Sequence, residues 1–156
     1  MKKLAKKDLM ENRIKRGMRE LEILSHTHVR KRDSLEDYEV GGLCCTCMMY
    51  AYGSNFQAGH FDPASLCGLW LLHHPHNMHG QCGFKCNINK HGTQSMSTKY
   101  TLFMIDKYGR KYVDYLLSQR KRLENLPIPK IEFLETMISL YKKGIEQDII
   151  NYLESL

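Results

Sequence analysis

Apolar residues recur at helical spacing in the flanks of the chain, and a shorter, mixed pattern lies between them. In residues 4–24, Leu, Ile and Met recur every three to five positions among Lys and Arg, which predicts a helix. Ser25 to Thr27 are expected to interrupt it, and Gly41 and Gly42 break the chain further on. His26 and His28 are interpreted as surface or DNA-facing groups rather than metal ligands.

Three helices are predicted in the second half of the chain. The first spans about 97–108 and ends at Gly109, and the second spans 110–122. Prolines at 127 and 129 end helical structure there. Apolar residues then recur at three- and four-residue steps over 131–153, which predicts one long amphipathic helix. This helix either packs on its own domain or pairs with a second copy, and we favour packing because most apolar stripes belong to a core.

The centre is predicted to contain strands and turns. Residues 54–62 lie between Gly53 and Pro63 and predict a short strand. Residues 64–78 are interpreted as a return strand with a long loop, in which three histidines (His73, His74 and His76) are expected to be solvent-exposed rather than metal ligands. Residues 82–92 predict a turn and a short helix. If that helix begins at Cys86, Asn87 and His91 share one of its faces.

Length and composition indicate a globular chain, whose cysteines stay reduced if it remains in the cytosol. The 156 residues suffice for one core, the charged start has no apolar run behind it that would indicate a signal peptide, and no segment approaches a membrane span. In the cytoplasm thiols stay reduced, so the six cysteines are expected to bind metal rather than to form disulfides. Cys45 and Cys67 are interpreted as small unligated thiols.

Four of the cysteines form two pairs with the spacing of a zinc site. Cys44-x2-Cys47 and Cys82-x3-Cys86 lie about three dozen residues apart. Two turns that each supply two thiolates satisfy the tetrahedral coordination of one Zn²⁺ ion. The sequence therefore predicts a structural zinc that fixes both turns.

The net charge of +6 is unevenly distributed. Residues 1–32 carry eleven Lys and Arg against four Asp and Glu, and 85–122 carry nine against two. Residues 33–84 carry five acids and no Lys or Arg, and 123–156 carry a balance of −3. Basic flanks suit a polyanionic backbone and an acidic middle suits hard metal ions, although a basic run alone is often a solvated helix face.

Side chains suited to phosphodiester hydrolysis lie between and beside the cysteine pairs. This reaction needs a base that activates water, a divalent ion and a group that orients the base. His60, at the end of the predicted strand, is the candidate base. Asn77, five residues before Cys82, can orient the His60 segment, and Asn87 offers an oxygen to Mg²⁺ or Mn²⁺.

The combination of these motifs resembles zinc-stapled HNH endonucleases and, more closely, the bacteriophage lambda NinG (Rap) recombination protein family. The similar stretches are Phe-Gln-Ala-Gly-His-Phe at 56–61, Asn77-x4-Cys82, His79-Gly-Gln-Cys-x3-Cys-Asn, a later Tyr-x7-Tyr-Gly109 spacing and the basic run at 29–33. Together they cover roughly residues 28–122. Each stretch is weak alone, but the combination is specific.

The resemblance implies an α+β fold with a ββα-metal (HNH, or His-Me finger) core, stapled by a four-cysteine zinc site and flanked by α-helices. Together with the charge and periodicity of the flanks, it predicts a basic helical arm at 1–40, the nuclease domain with its following helices at 41–122 and the amphipathic helix at 123–156. It further implies cleavage of Holliday junctions or other branched DNA in the cytoplasm of a bacterial host. If the matching positions have the same roles as in that family, His60 is the general base, Asn77 positions it and Asn87 binds the catalytic ion.

Gly59 departs from the HNH pattern, because many of these enzymes have a metal-binding Asp or His just before the base. Asp62 and His91 are the candidates for the missing ligand. His79 is a further candidate, although its place in the zinc turn favours a structural hydrogen bond. The second pair, Cys-x3-Cys, is one residue longer than the commoner spacing. The residues expected to contact DNA phosphates are Arg30, Lys31, Arg32, Lys90, Arg110, Lys111, Arg120, Lys121 and Arg122.

Three functions follow as hypotheses. The first is a structure-selective nuclease acting as a homodimer, because symmetric junction cleavage needs two active sites. The second is a less selective HNH nicking enzyme on branched or duplex DNA. The third is a non-catalytic zinc module that binds DNA or a replication partner. Cleavage of a junction compared with linear duplex separates the first two, and the absence of metal-dependent cleavage identifies the third.

Overall fold

The structure is a computed structural model that describes residues 2–35, 40–88, 94–120 and 129–156. Six α-helices and four short strands are seen in these ranges. The helices are α1 (Lys2–Arg32), α2 (Leu69–Leu72), α3 (Gln94–Tyr108), α4 (Arg110–Ser118), α5 (Lys130–Lys143) and α6 (Glu146–Ser155). The strands are β1 (Gly41–Leu43), β2 (Tyr50–Tyr52), β3 (Phe56–His60) and β4 (Met78–Cys82). The predicted α+β class is confirmed.

The strands form two antiparallel hairpins. β1 pairs with β2, and β3 pairs with β4 in a register that sets Phe56 opposite Cys82 and His60 opposite Met78. A π-helical turn, Gly83–Asn87, follows β4 directly. The strand at 54–62 is therefore confirmed in its central part, with a 3₁₀ turn at Gly53–Asn55 before it.

The α1 helix packs against elements from both the centre and the end of the chain. It packs along α5 on one side and against β3 and β4 on another. The prediction that Ser25 to Thr27 interrupt this helix is wrong, since α1 continues to Arg32. The Ser25 hydroxyl is accommodated within the helix because it donates to the Glu22 carbonyl oxygen at 3.1 Å. The core beside α1 is built from large apolar side chains, among them Leu21, Trp70, Tyr100, Met104, Leu116, Phe133, Leu134, Met137 and Ile149.

Two further predictions about elements are wrong. The apolar run Leu69–Leu72 is the short helix α2, and the return strand is β4. The predicted single helix over 131–153 is two helices, because Gly144 adopts a left-handed conformation with φ of 75° between α5 and α6. Only glycine enters that region without steric cost from a Cβ atom.

The apolar stripe of α5 and α6 is buried within the chain, as favoured above. Phe133, Met137 and Ile149 are at most 1% exposed, since they pack in the core beside α1. No helix in the described residues is both long and apolar enough to span a membrane. The predicted division into 1–40, 41–122 and 123–156 stays a prediction.

Candidate functional site

The four predicted zinc ligands converge at one end of the β3–β4 hairpin. The Sγ atoms of Cys44, Cys47, Cys82 and Cys86 all lie within 4.8 Å of one another. A Zn–S bond of about 2.3 Å in a tetrahedron requires sulfur atoms about 3.8 Å apart. The Cys47 and Cys82 sulfurs are 3.8 Å apart, so the cluster fits a metal ion such as zinc.

Burial and the close approach of the four sulfur atoms shift the pKa values of these thiols in different directions. Burial, and then hydrogen bonds with the other cysteines, raise the pKa of Cys86 well above its usual range. The pKa of Cys44 is lowered, because backbone hydrogen bonds involving Cys47, Cys82 and Thr46 outweigh its burial. Four thiolates in one small volume repel each other. A divalent metal ion that binds thiolates removes this repulsion and completes the site.

A tight turn presents the first cysteine pair. The Met48 amide donates to the Cys44 carbonyl oxygen and the Cys44 amide donates to the Met49 carbonyl oxygen, each at 2.9 Å. Met48 has a φ of 58°, a left-handed conformation that is unfavourable for a side chain with a Cβ atom. The Cys45 amide donates to the Gly80 carbonyl oxygen at 2.9 Å, which joins this turn to β4.

Gly59, the position where HNH enzymes often carry a metal ligand, has no room for a side chain. A Cβ atom added there would lie 1.8 Å from Oε1 and 2.6 Å from Cδ of Gln81, which is fully buried. The Gln81 amide donates to the Thr46 hydroxyl in the turn of the first cysteine pair. Gly59 therefore reflects close packing between the hairpin and the cysteine turn.

His60 lies at the opposite end of the hairpin and lines a cavity between β3 and α1. Its Nε2 lies 3.1 Å from the Leu72 carbonyl oxygen, which can only accept a hydrogen bond. This contact selects the tautomer that carries the proton on Nε2 and the lone pair on Nδ1. The cavity has a volume of about 480 Å³, and its charged and imidazole-bearing lining residues are Lys15, Arg19, Glu22, His26, His60 and His73.

Two further histidines accompany His60 in this cavity. The His26 and His60 ring centroids are 5.6 Å apart in an edge-to-face arrangement, so His26 is half-buried rather than a surface group. Burial lowers the pKa of His26. His73 is 2% exposed, and burial, with the nearby His60 and His26, lowers the pKa of His73 to about 3. Both imidazoles are therefore neutral near pH 7.

Asn77 joins the two segments that flank the His60 end of the hairpin. Its side chain is fully buried, its Oδ1 accepts from the Asp62 amide at 2.9 Å, and its Nδ2 donates to the Leu71 carbonyl oxygen at 3.0 Å. The Phe61 amide donates to the Asn77 carbonyl oxygen at 2.7 Å. Asn77 thus holds the chain just after His60, while its role in catalysis stays a prediction.

The Asn87 side chain does not lie beside His60. Its Nδ2 donates to the Gln57 Oε1 at 2.9 Å. Successive side chains of a strand point to opposite faces, so Gln57 and His60, three residues apart on β3, lie on different sides of the hairpin. Asn87 and His60 therefore do not face one common ion.

The two candidates for the missing ligand give no metal site among the described residues. Asp62 is 2% exposed and accepts hydrogen bonds from Arg120 Nε at 2.7 Å and Nη2 at 2.6 Å. This salt bridge occupies both oxygens of the carboxylate. His91 lies outside the described residues.

His79 makes a buried structural network. Its Nδ1 lies 3.2 Å from Asp33 Oδ2 and 2.9 Å from Arg32 Nη2, and its Nε2 lies 3.1 Å from the Tyr108 hydroxyl. Burial is the main reason that the pKa of His79 is lowered to about 4. Arg32 also contacts Glu146 at 2.9 Å, so the network joins the end of α1 to β4 and α6.

The prediction that the histidines at 73–76 form a solvent-exposed loop is wrong. His74 is fully buried against Trp70, with the ring centroids 4.8 Å apart, and burial lowers the pKa of His74 to about 3. His76 Nδ1 lies 2.8 Å from the Tyr112 hydroxyl. They pack here because Pro75–Asn77 forms a 3₁₀ turn between α2 and β4.

The predicted DNA-contacting residues fall into distinct environments. Lys31 and Lys111 are exposed. Arg30 donates to the Gly53 carbonyl oxygen at 2.9 Å, and Arg110 contacts Asp114 at 3.2 Å. Arg32 belongs to the buried network with His79 and Arg120 pairs with Asp62, so these two have structural partners. Lys90, Lys121 and Arg122 lie outside the described residues.

Sequence reasoning missed the α1 side of the His60 cavity. Lys15, Arg19, Glu22 and His26 follow one another at steps of four, three and four, which places them on one face of a helix. This spacing was visible in the sequence. Nothing in the sequence showed that the stripe faces His60, because that depends on how β3 packs against α1.

The chain was compared with protein families, curated proteins and solved structures. The family model described as bacteriophage lambda NinG protein matches residues 2–147, which include the four cysteines and the His60 cavity. No curated protein and no solved structure matches the chain at a significant level. The match covers most of the 156 residues. The chain therefore belongs to the bacteriophage lambda NinG family.

Proposed function

We propose that this chain is an HNH-type, metal-dependent endonuclease that cuts Holliday junctions or other branched DNA during phage recombination. His60 is the general base that takes a proton from the attacking water. The observation that carries the proposal is the position of His60, at the end of a strand fixed by the cysteine cluster and beside a cavity with a basic stripe.

The geometry of His60 suits this role. Its Nε2 lies 3.1 Å from the Leu72 carbonyl oxygen, which orients the imidazole, and in this proposal Nδ1 accepts the proton. The Asn77 side chain fixes the backbone of Asp62, two residues later, at 2.9 Å. In this proposal Asn77 is a positioning residue that keeps the strand end and its imidazole in place.

The described residues do not assemble a site for a catalytic Mg²⁺ or Mn²⁺ ion. Asn87 is bonded to Gln57, Asp62 is paired with Arg120, and Gly59 has no side chain. We therefore assign no step of the reaction to an ion held by these groups. The dependence on a divalent ion is part of the proposal and is tested directly by chelation.

Symmetric junction cleavage calls for two copies of the site, and we propose a homodimer for that reason. The apolar stripe over 131–153 does not supply its interface, because Phe133, Met137 and Ile149 are buried against the core. The dimer surface must lie elsewhere on the molecule. Sedimentation at micromolar concentration tests this part, and a monomer on junction DNA would contradict it.

The decisive experiment compares cleavage of a labelled four-way junction with cleavage of its linear duplex, in EDTA, Mg²⁺ or Mn²⁺. We expect paired cuts in opposite arms of the junction, lost on chelation, and a fall of about 10²-fold or more in His60→Ala. His28→Ala is the matched control, since this imidazole contacts Glu146 outside the cavity. Equal cutting of both substrates would favour the less selective nicking enzyme.

A second candidate function is a non-catalytic zinc module that binds DNA. The separation of Asn87 and His60 onto different sides of β3 favours it, because an HNH centre needs both groups near one phosphate. DNA binding that persists in His60→Ala, without divalent-ion-dependent cleavage by the wild-type chain, would establish this function.

A further inference from the structure

The His60 cavity has a second wall, the stripe of α1, to which the proposed reaction assigns no role. Lys15, Arg19 and Glu22 lie on one helical face and line the cavity together with His60 on β3. Lys15 and Glu22 are solvent-exposed, so the opening of the cavity is charged. A ligand in the cavity therefore lies close to these charged side chains.

The charges of this wall favour an anion over a free metal ion. Lys15 and Arg19 carry two fixed positive charges, whereas Glu22 carries one negative charge. Among the described residues, the cysteine cluster is the one group of three or more Cys, His, Asp or Glu donors that converge closely enough to hold a metal. A single negative charge, as on one phosphodiester, matches the balance of the wall.

His73 shows that the cavity is built to hold a polar ligand or water. The Ser25 hydroxyl donates to the Glu22 carbonyl oxygen, so its own oxygen accepts from His73 Nδ1 at 3.3 Å. The proton of His73 is then on Nδ1, and Nε2 carries a lone pair. That Nε2 is buried without a hydrogen-bond partner in the described structure. Buried polar atoms are nearly always paired, so a partner beyond the described residues is expected, and a ligand or water in the cavity can supply it.

Apolar side chains complete the cavity. Met18, Ala64 and Leu72 line it beside the charged groups. A volume of about 480 Å³ is within the range of small-molecule sites, which commonly span about 300–1,000 Å³. A sugar with one base has apolar and hydroxyl surfaces that fit such a mixed lining.

We propose that this cavity binds one nucleotide unit of a nucleic acid, with its phosphodiester held by Arg19 and Lys15 and a hydroxyl or bound water donating to His73 Nε2. The inference deepens the proposed function, on which it rests for the choice of nucleic acid as ligand. It assigns to α1 a direct part in substrate binding at His60.

The test uses the zinc-loaded full chain and the dinucleotide TpT, which has one phosphodiester and no terminal phosphate. Imidazole resonances of His26, His60 and His73 are followed by NMR during titration, and the His79 resonance is the internal reference in a separate buried network. We expect the three cavity resonances to shift with TpT and to shift much less with thymidine.

Variants of α1 test which residues bind the phosphate. We expect Arg19→Ala and Lys15→Ala each to weaken TpT binding by about threefold or more, on the scale of one exposed charged contact. Arg16→Ala is the matched control, because it removes the same charge from the same helix but lines a separate groove beside Leu134. Its affinity should equal that of the wild type.

Several results would overturn the inference. These are equal shifts with thymidine and TpT, equal weakening by Arg16→Ala and Arg19→Ala, or no shift of the cavity resonances at millimolar TpT. The proposed nuclease function fails separately: TpT binding without any junction cleavage refutes the enzyme and leaves the binding site intact. Junction cleavage that is unchanged in Arg19→Ala refutes the binding site alone.

Discussion

The two ends of the β3–β4 hairpin are stabilised by different means. At the Phe56–Cys82 end, four cysteine sulfurs within 4.8 Å of one another provide a metal site. At the His60–Met78 end, the hairpin is held by the buried Asn77 amide and by packing against α1. A structural ion can therefore fix the strands without taking part in the chemistry proposed at His60. We therefore expect metal removal to destabilise the cysteine end and substitution of Asn77 to destabilise the His60 end.

The largest effect is expected on removing the metal ligands. Cys82→Ser, or chelation of the wild-type chain, should unfold the β1–β2 hairpin and the cysteine turn at a cost of several kcal/mol, because structural zinc contributes about 10 kcal/mol or more in small zinc domains. Hydrogen exchange should show lost protection in 41–52 and retained protection in α5. Cys67→Ser is the control, since Cys67 lies outside the cluster. Zinc retained at full stoichiometry in Cys82→Ser would contradict the ligand assignment.

The next effect is expected at Asn77. Asn77→Ala leaves the Asp62 amide and the Leu71 carbonyl oxygen without their partner, and each unsatisfied buried group costs about 1–3 kcal/mol. Urea unfolding of the zinc-loaded chain should show this loss while the zinc content is unchanged. Asn77→Asp replaces the Nδ2 donor with a buried carboxylate that faces the Leu71 carbonyl oxygen, so we expect it to destabilise the chain at least as much as Asn77→Ala does. A loss of zinc from Asn77→Ala would show that the two ends are not separable.

An effect that is smaller per pH unit is expected at the buried His74, which precedes the 3₁₀ turn leading into β4. The pKa of the buried His74 is about 3 in the folded chain, below its ordinary value of 6.5, so between these values the unfolded chain binds a proton that the folded chain does not. The free energy of unfolding therefore falls as the pH drops from about 6.5 toward 3, by up to about 1.4 kcal/mol per pH unit for this group. His74→Asn keeps an acceptor for the His76 amide and should give a shallower slope between pH 6 and 4 at saturating zinc. An unchanged slope would mean that His74 does not titrate on unfolding.

The smallest effect is expected at the cysteine turn. Met48 has a φ of 58° and is 62% exposed, so Met48→Gly removes backbone strain and little packing. We expect a gain of about 1 kcal/mol in the stability of the zinc-loaded chain, the usual cost of a side chain in this conformation. Met49→Gly is a control, because Met49 is equally exposed and is not in that conformation. A destabilised Met48→Gly would show that the Met48 side chain has a structural role.

The cysteine site was predictable from sequence, and the His60 cavity was not. Cys-x2-Cys and Cys-x3-Cys are local patterns whose geometry follows from the needs of one ion, so their convergence could be anticipated. The cavity depends on α1 packing against β3, and the Asp62–Arg120 pair joins residues 58 positions apart. Neither contact leaves a local signal. The wrong strand at Leu69–Leu72 reflects a different limit, since a short apolar run fits a buried helix as well as a strand.

Gly144 shows a signal that was present and overlooked. It lies in an otherwise regular apolar stripe, follows two lysines and adopts the left-handed conformation that ends many helices. Read as a stop signal, it would have divided 131–153 correctly. The buried His74 and His79 are harder to anticipate, because their partners Trp70, Asp33 and Tyr108 come from other elements.

The long-range contacts of α1 affect the order in which the chain folds during synthesis at the ribosome. Arg13 pairs with Glu135 and His28 with Glu146, at separations of 122 and 118 residues. The cysteine ligands lie together within 44–86, and a growing chain lengthens by about 5–20 residues per second. The nascent chain can therefore capture its metal while α5 and α6 are still unmade. Metal supply would then act at an early stage of maturation, before α5 packs along α1.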